Sequence, residues 1–436
     1  MFGRPCKKWL TLILGVGLLG LASGVMYLKS QQDSNHGFSV DSLFAVEVPN
    51  LRKLARSAMR TDRDLAKNLE QDYDAMFARV LARNPDLVPT WKSVPDEKNG
   101  FLQWLEFCEK RSPGEDVTSV DLTLDDELSD MINGLSEWDR EMVKKHLDAH
   151  SDLLDEVTRI GIIDDQSTSG VAVDRWVWFS ANFTKQCADL LCADARVAAE
   201  EGDAERAELR INAALGLAKH HSQIETPSLM SETVAILIQI SVLGASVEHV
   251  IPALDLSPGE IRQWRDTLKP VTNEDFSEVM RGEFYASTRG MLIPILLSYN
   301  SRSSEVKISD PEVLCDAFAQ NYLHQMSQIR AANPQKLYQN TAGLHEDFTP
   351  TSQLSKEAQT VYDDSRLGVS VWGKGFTRAQ AIYRYHDAAL AIAVGDKPPA
   401  DLITGKPFLF DPQTRVISFP DDPMLKELAV GPIKVP

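Results

Sequence analysis

The chain has 436 residues, of which 45 are basic and 63 are acidic, giving a formal net charge of −18 at pH 7. Because the phosphates of nucleic acids require a basic footprint, this charge argues against a nucleic-acid partner. It argues equally against a domain that lies flat on an anionic membrane leaflet.

The N-terminus predicts a membrane anchor. An apolar run without charged residues covers positions 9–28, and Arg4, Lys7 and Lys8 precede it. At about 1.5 Å per residue, a helix of this length spans about 30 Å, the thickness of the hydrocarbon core of a bilayer. The positive-inside rule then predicts a cytoplasmic N-terminus and a main domain in the periplasm, at a bacterial inner membrane. A signal peptide cleaved after residues 22–24 is the alternative.

A pair of glycines in this run predicts a contact between membrane helices. Gly20 and Gly24 form a G-x-x-x-G step, which lets two helices approach closely and would favour a homo-oligomer. Gly15 and Gly17 lie in the same run, so general glycine richness is the competing explanation.

The rest of the chain predicts an all-α fold with a small C-terminal β-hairpin. Apolar residues recur at three-, four- and seven-residue steps, and segments rich in Pro, Gly, Ser and Asp separate these patterns. We predict an anchor at residues 1–29, a linker at 30–41 and an N-terminal helical region at 42–165. A central αα-hairpin domain, a bundle or solenoid-like, follows at 171–297. A loop-rich connection at 298–376 leads to a C-terminal unit at 377–436.

Several helix boundaries follow from local signals. Ser136 with Asp139 resembles a capping arrangement for one helix running to about residue 160. Gly202-Asp203 separates two alanine-rich helices, which together predict an αα-hairpin. The Ser-Pro-Gly-Glu sequence at 257–260 predicts a helix start. The pattern is weak over residues 331–370, where we expect long loops.

The C-terminal segment changes character. After a further helix at residues 377–394, two short apolar runs at 408–410 and 415–419 flank an Asp-Pro-Gln-Thr turn. This arrangement predicts a β-hairpin.

These features resemble known proteins. The hairpin at 187–221, the sequence SPGEIRQW at 257–264 and the D-x-x-T-G-K-P-F-x-F-D-P pattern at 401–412 resemble a large, mostly uncharacterised family of membrane-anchored helical bacterial proteins. The hairpin is tetratricopeptide-like, although no second copy follows at that family's period. The T-G-K-P segment is similar to the C-terminal segment of pseudopilin-like proteins, which implies an accessory role in a secretion or pilus-like system. The anchor lacks the acidic residue that pseudopilins carry.

Two histidines are the only metal-ligand candidates that the sequence suggests. His146 and His150 are spaced to share one helix face, which is a spacing that can bind a metal. The zincin pattern requires Glu directly after the first His, and Leu147 stands there instead. Two surface histidines without a metal are the alternative, and no cofactor is predicted.

Four cysteines follow the anchor, namely Cys108, Cys187, Cys192 and Cys315. In an exported domain they could form disulfides, and buried free thiols are the alternative. Cys187 and Cys192 are too far apart along one helix to bond to each other.

The absence of a catalytic signature decides the functional prediction. Residues 368–374 match G-x-x-x-x-G-K, but Gly375 replaces the Ser or Thr that a phosphate loop needs to hold magnesium. We therefore predict a protein-binding or scaffolding subunit of a membrane-associated complex. A periplasmic hydrolase that uses paired carboxylates or a metal, and an accessory secretion component, are the alternatives.

Overall fold

The structure, a computed structural model, describes residues 63–111, 122, 126–132, 136–171, 181–273, 275–293, 296, 308–339, 348, 350, 353–365, 369–428 and 430–436. The predicted anchor, its glycine pair Gly20 and Gly24 and the linker lie outside these residues. The described part is mostly helical and carries one small antiparallel sheet near the C-terminus, which confirms the predicted fold class at this level. The domain boundaries stay predictions.

The helices of the first half are α1 (Arg63–Arg83), α2 (Gly100–Arg111), α3 (Asp126–Ile132), α4 (Arg140–Ala149), α5 (Ser151–Gly161), α6 (Ala181–Glu200) and α7 (Ala204–Ser222). Two 3₁₀ turns, Pro85–Leu87 and Asp96–Lys98, connect α1 to α2.

The helices of the second half are α8 (Leu229–Ala245), α9 (Pro258–Thr267), α10 (Phe276–Ser287), α11 (Pro311–Ala331), α12 (Pro334–Tyr338), α13 (Lys356–Ser365), α14 (Val369–Ala393) and α15 (Pro423–Lys426). A π-helical turn, Ser246–Val250, extends α8 into a further helical turn, Ile251–Leu254, and a second one, Thr288–Leu292, follows α10.

Helix α4 begins and ends differently from the prediction. Asp139 alone is its N-cap and accepts hydrogen bonds from the backbone N–H groups of Glu141 and Met142. The expected single helix to residue 160 is interrupted at His150, which separates α4 from α5. The spacing of apolar residues continues across this break, so periodicity alone could not reveal it.

The predicted αα-hairpin is present as α6 and α7. Gly202 takes a φ of +78°, which favours glycine, and Asp203 caps α7 by accepting from the N–H of Arg206 at 3.0 Å. Asp194 of α6 is buried and pairs with Arg206 and, at 2.7 Å, with Arg210 of α7. Ion pairs, as well as the packing of small side chains, therefore hold the two helices together.

Helices α5 and α7 cross at a contact that only glycine permits. A Cβ atom added to Gly216 would lie 1.6 Å from the carbonyl oxygen of Gly161. A Cβ added to Gly161 would lie 2.4 Å from the carbonyl oxygen of Ala213. The crossing therefore depends on the absence of both side chains.

Within the described residues, one helix is long and apolar enough to cross a membrane, and it extends over the 26 residues Leu229–Leu254. Of its most apolar window, 56% is buried inside the structure. This helix belongs to the core, since α8 packs against α6, α7 and α14.

The hydrophobic core has two large parts. The first lies among α2 to α9, the C-terminal half of α14 and the sheet. The second lies among α1, α10, α11, α13 and the beginning of α14. A smaller cluster, containing Phe101, Ile224 and Ala286, joins α2 and α10 to the loop after α7.

The C-terminal sheet contains the predicted hairpin and one further strand. Strands β1 (Leu409–Asp411), β2 (Val416–Ser418) and β3 (Ile433–Lys434) are antiparallel in the order β1-β2-β3. Tyr385 joins α14 to strands β2 and β3. Its hydroxyl donates to the carbonyl oxygen of Ile417 at 2.6 Å and accepts from the N–H of Ile433. Strand β3 is too short to leave a period-two pattern in the sequence.

Residues 331–370 differ from the expected long loops, since they contain α12, α13 and the start of α14. Gly373 and Lys374 of the G-x-x-x-x-G-K match lie inside α14, where a phosphate loop cannot form.

Candidate functional site

A surface cleft of about 180 Å³ is the candidate site, and we call it the Trp91 cleft. Four segments that are distant in sequence meet there: the loop between the two 3₁₀ turns, the loop after α5, the loop after α7, and α10. Its lining consists of Trp91, Thr168, Ser169, Gly170, Val171, Thr226 and Tyr285. Clefts between packed units are common places for ligand binding.

Two aromatic rings form one wall of the Trp91 cleft. The rings of Trp91 and Tyr285 meet edge to face, with centroids 5.4 Å apart and planes at 75°. The ring centroids of Tyr285 and Phe77 of α1 are 5.5 Å apart, so this wall packs against the second part of the core. Trp91 remains 44% exposed, a large fraction for an indole.

The Glu225 carboxylate holds the backbone beside Trp91 and at Thr168. Its carboxylate accepts hydrogen bonds from the N–H of Lys92 at 2.9 Å and the N–H of Thr168 at 2.8 Å. It also accepts from the hydroxyls of Ser167 at 2.6 Å and Thr168 at 3.1 Å. Burial alone would raise the pKa of Glu225, but these hydrogen bonds outweigh it and lower that pKa. One ionised carboxylate thus joins three of the four segments.

A second set of hydrogen bonds joins the loop after α5 to Asn99 and Gly100 at the start of α2. The side chain of buried Asn99 donates to the carbonyl oxygen of Ser167 at 2.8 Å and accepts from the N–H of Ser167 at 3.1 Å. The N–H of Gly100 donates to the carbonyl oxygen of Asp165 at 2.8 Å. These bonds fix the backbone of this loop at Asp165 and Ser167, directly before the residues that line the cleft.

The lining of the Trp91 cleft carries no charge. Beyond Tyr285, Arg289 and Asp74 form an ion pair with each other. Burial raises the pKa of the Tyr285 phenol, which keeps it neutral at physiological pH. This arrangement suits an uncharged group that is about the size of one ring.

The predicted histidine pair is brought together, though not on one continuous helix. The rings of His146 and His150 stack with centroids 4.3 Å apart, and His150 Nδ1 lies 2.9 Å from the carbonyl oxygen of His146. Across the part of the chain that the structure describes, no three His, Cys, Asp or Glu side chains are grouped closely enough to hold a metal ion.

The four cysteines lie in the core as free thiols. Cys108, Cys187 and Cys192 belong to the first part of the core and Cys315 to the second. Burial raises the pKa of each thiol, to about 12 for Cys315, so all four are protonated and unreactive.

Several buried polar groups serve the fold. Glu283 accepts from the N–H of Leu229 at 2.7 Å, and Glu232 accepts from the N–H and side-chain amide of Asn273, both at 2.9 Å. His220 packs where Gly100 lacks a side chain, with Nε2 3.1 Å from the carbonyl oxygen of Ile160. None of these groups lines the Trp91 cleft.

The Trp91 cleft could not be predicted from the sequence. Its one local feature is a tryptophan in a loop between Pro89 and Pro95, and a single apolar residue in a loop does not by itself indicate a site. Glu225 and Tyr285 carry no signal of their own.

No protein-family model, curated protein or solved structure matches this chain.

Proposed function

We propose that the protein is a membrane-anchored helical subunit that binds a segment of a partner protein in the Trp91 cleft. The observation that supports this proposal is the half-exposed Trp91 ring on a backbone that Glu225 holds in place. Tryptophan and tyrosine contribute most often to binding energy at protein interfaces. A cleft whose walls are already ordered loses little conformational entropy when it binds.

The proposed location follows from the N-terminal sequence. Residues 9–28 anchor the chain in a bacterial inner membrane, with Arg4, Lys7 and Lys8 on the cytoplasmic side. The helical domain then faces the periplasm, where the cleft is accessible to membrane-associated partners. The two alternatives, a hydrolase and a secretion accessory protein, stay predictions.

The test is affinity purification of the full-length protein from its native membranes, in mild detergent after light crosslinking, followed by mass spectrometry. We expect one partner in a stoichiometric amount. Trp91→Ala, which removes the aromatic wall, should abolish its recovery. Ser169→Phe should do the same, because Ser169 is exposed and a ring at this position fills the cleft.

Phe410→Ala is the matched control. Phe410 is an aromatic residue of β1 with 38% of its surface exposed, and it lies outside the cleft lining. This variant should retain the partner. Loss of the partner in all three variants, or its retention in all three, would exclude the Trp91 cleft as the binding site.

A further inference from the structure

The chemistry of the cleft walls points to a specific kind of ligand, and this inference rests on the proposed function. We propose that the Trp91 cleft binds an extended, uncharged peptide segment that packs a proline ring against the edge-to-face pair of Trp91 and Tyr285.

The hydroxyl groups in the cleft favour a ligand with few hydrogen-bonding groups. Thr168 Oγ1 lies 3.1 Å from Glu225 Oε2, and the carboxylate can only accept, so the Thr168 hydrogen is used there. Thr226 Oγ1 lies 3.1 Å from Thr168 Oγ1 and therefore donates to it. Both buried hydroxyls have spent their hydrogens inside the protein, which leaves neither as a donor for a ligand.

This pairing disfavours a sugar and favours proline. Each saccharide hydroxyl also needs a donor for its oxygen, and neither threonine hydroxyl has a hydrogen left to supply; unpaired buried polar groups are costly. A proline ring is apolar, and its nitrogen carries no hydrogen that would need an acceptor. The hydroxyl of Ser169, at the exposed side of the cleft, remains to donate to a peptide carbonyl.

Size and shape agree with one ring. The cleft volume of about 180 Å³ is close to that of an apolar cavity that holds benzene, about 150 Å³. Because the rings of Trp91 and Tyr285 stand at 75° to each other, they form a notch in which a flat ring contacts one face and one edge.

The lining of the cleft offers no charged partner to a ligand. The Glu225 carboxylate already accepts four hydrogen bonds, Asp74 is paired with Arg289, and the ammonium of Lys92 donates to the carbonyl oxygen of Gln223. An anionic group would meet an uncharged lining within a chain of net charge −18. A proline-rich segment carries no charge of its own, and its preformed polyproline II conformation reduces the entropy lost on binding.

The test is a fluorescence-anisotropy titration of the full-length protein in detergent. The probe is a fluorescein-labelled peptide with a central run of prolines, and the matched peptide carries alanine in place of each proline. We expect saturable binding of the proline peptide and at least about tenfold weaker binding of the alanine peptide. Trp91→Ala and Ser169→Phe should raise the Kd for the proline peptide at least about tenfold, and Phe410→Ala should leave it unchanged.

Three outcomes would overturn the inference: no binding of the proline peptide, equal binding of both peptides, or displacement of the probe by a soluble N-acetylglucosamine oligomer. These failures are separable from failure of the proposed function. If a native partner is lost with Trp91→Ala but the proline peptide does not bind, only the ligand chemistry is wrong. If no native partner depends on Trp91, the proposed function itself is wrong.

Discussion

Replacing Glu225 by alanine tests whether one carboxylate orders the Trp91 cleft. The change leaves the N–H groups of Lys92 and Thr168 and two hydroxyls without their acceptor. A lost hydrogen bond to a charged group costs about 1.5–3 kcal/mol, and bonds that share one acceptor are not additive. Since Glu225 is only half-buried and water can replace part of the carboxylate, we expect a total loss of about 2–4 kcal/mol.

The Glu225→Ala variant should lose protection against hydrogen exchange near the cleft before the whole protein unfolds. Hydrogen exchange read by mass spectrometry should show faster exchange in peptides that contain Lys92 and Thr168, because their amides have lost the carboxylate. Peptides from the hairpin of α6 and α7 should be unchanged near neutral pH. Glu225→Gln keeps one acceptor oxygen and should show a smaller effect. Glu97→Ala, which removes an exposed glutamate of the neighbouring 3₁₀ turn, is the control and should show none.

The pH dependence gives an independent check on Glu225. Its pKa is lowered in the folded state, so its contribution to stability is present above the unfolded value of about 4.3. That contribution is lost as the pH falls through the lower folded pKa. The difference in urea midpoint between wild type and Glu225→Ala should therefore shrink in acid. Unchanged exchange at both amides in the alanine variant would refute the reasoning.

Three further predictions concern packing away from the Trp91 cleft. Gly216→Ala should lower the free energy of unfolding in urea by about 2–4 kcal/mol, because its Cβ would overlap the carbonyl oxygen of Gly161; a stable variant would disprove the close crossing. Burial lowers the pKa of His220 to about 4 and that of His221 to about 3. Their stabilising contribution is therefore present above pH 6.5 and is lost on acidification, whereas the raised pKa values of buried Glu232 and Glu283 act in the opposite direction. Between pH 7 and pH 5 the urea midpoint of wild type should therefore fall relative to that of His221→Gln, and an unchanged difference would contradict the assignment. Tyr385→Phe removes the hydroxyl that joins α14 to the sheet, and limited proteolysis near the C-terminus should become faster; equal rates would contradict this.

The parts of the fold that were predictable depend on local chemistry. The Ser257 and Glu260 side chains form a reciprocal capping box at the start of α9, as the sequence signal indicates. The Gly202-Asp203 turn likewise follows from a glycine with positive φ and an aspartate that caps the next helix. These features require only neighbouring residues, so a single sequence contains them.

The parts that were not predictable depend on contacts between distant residues. The break at His150 has no signal in the periodicity of the chain, and strand β3 exists through its pairing with β2. The Trp91 cleft brings together residues 91, 168–171, 226 and 285, and nothing in the sequence indicates that these segments meet. The contact between His146 and His150 was predictable because the two residues are four apart in sequence. A metal site needs further ligands from elsewhere in the fold, and the described residues group none with this pair.

The most direct test of the central claim is site-specific photocrosslinking in native membranes. A photoreactive amino acid replaces Val88, an exposed residue of the loop that carries Trp91, and in a second protein it replaces the similarly exposed Leu209 of α7. Leu209 lies 13 residues before the end of α7, or about 20 Å along the helix from the loop that contributes Thr226. We expect one protein adduct from position 88, lost with Trp91→Ala, and none from position 209. Adducts of equal yield from both positions, or from position 209 alone, would contradict it.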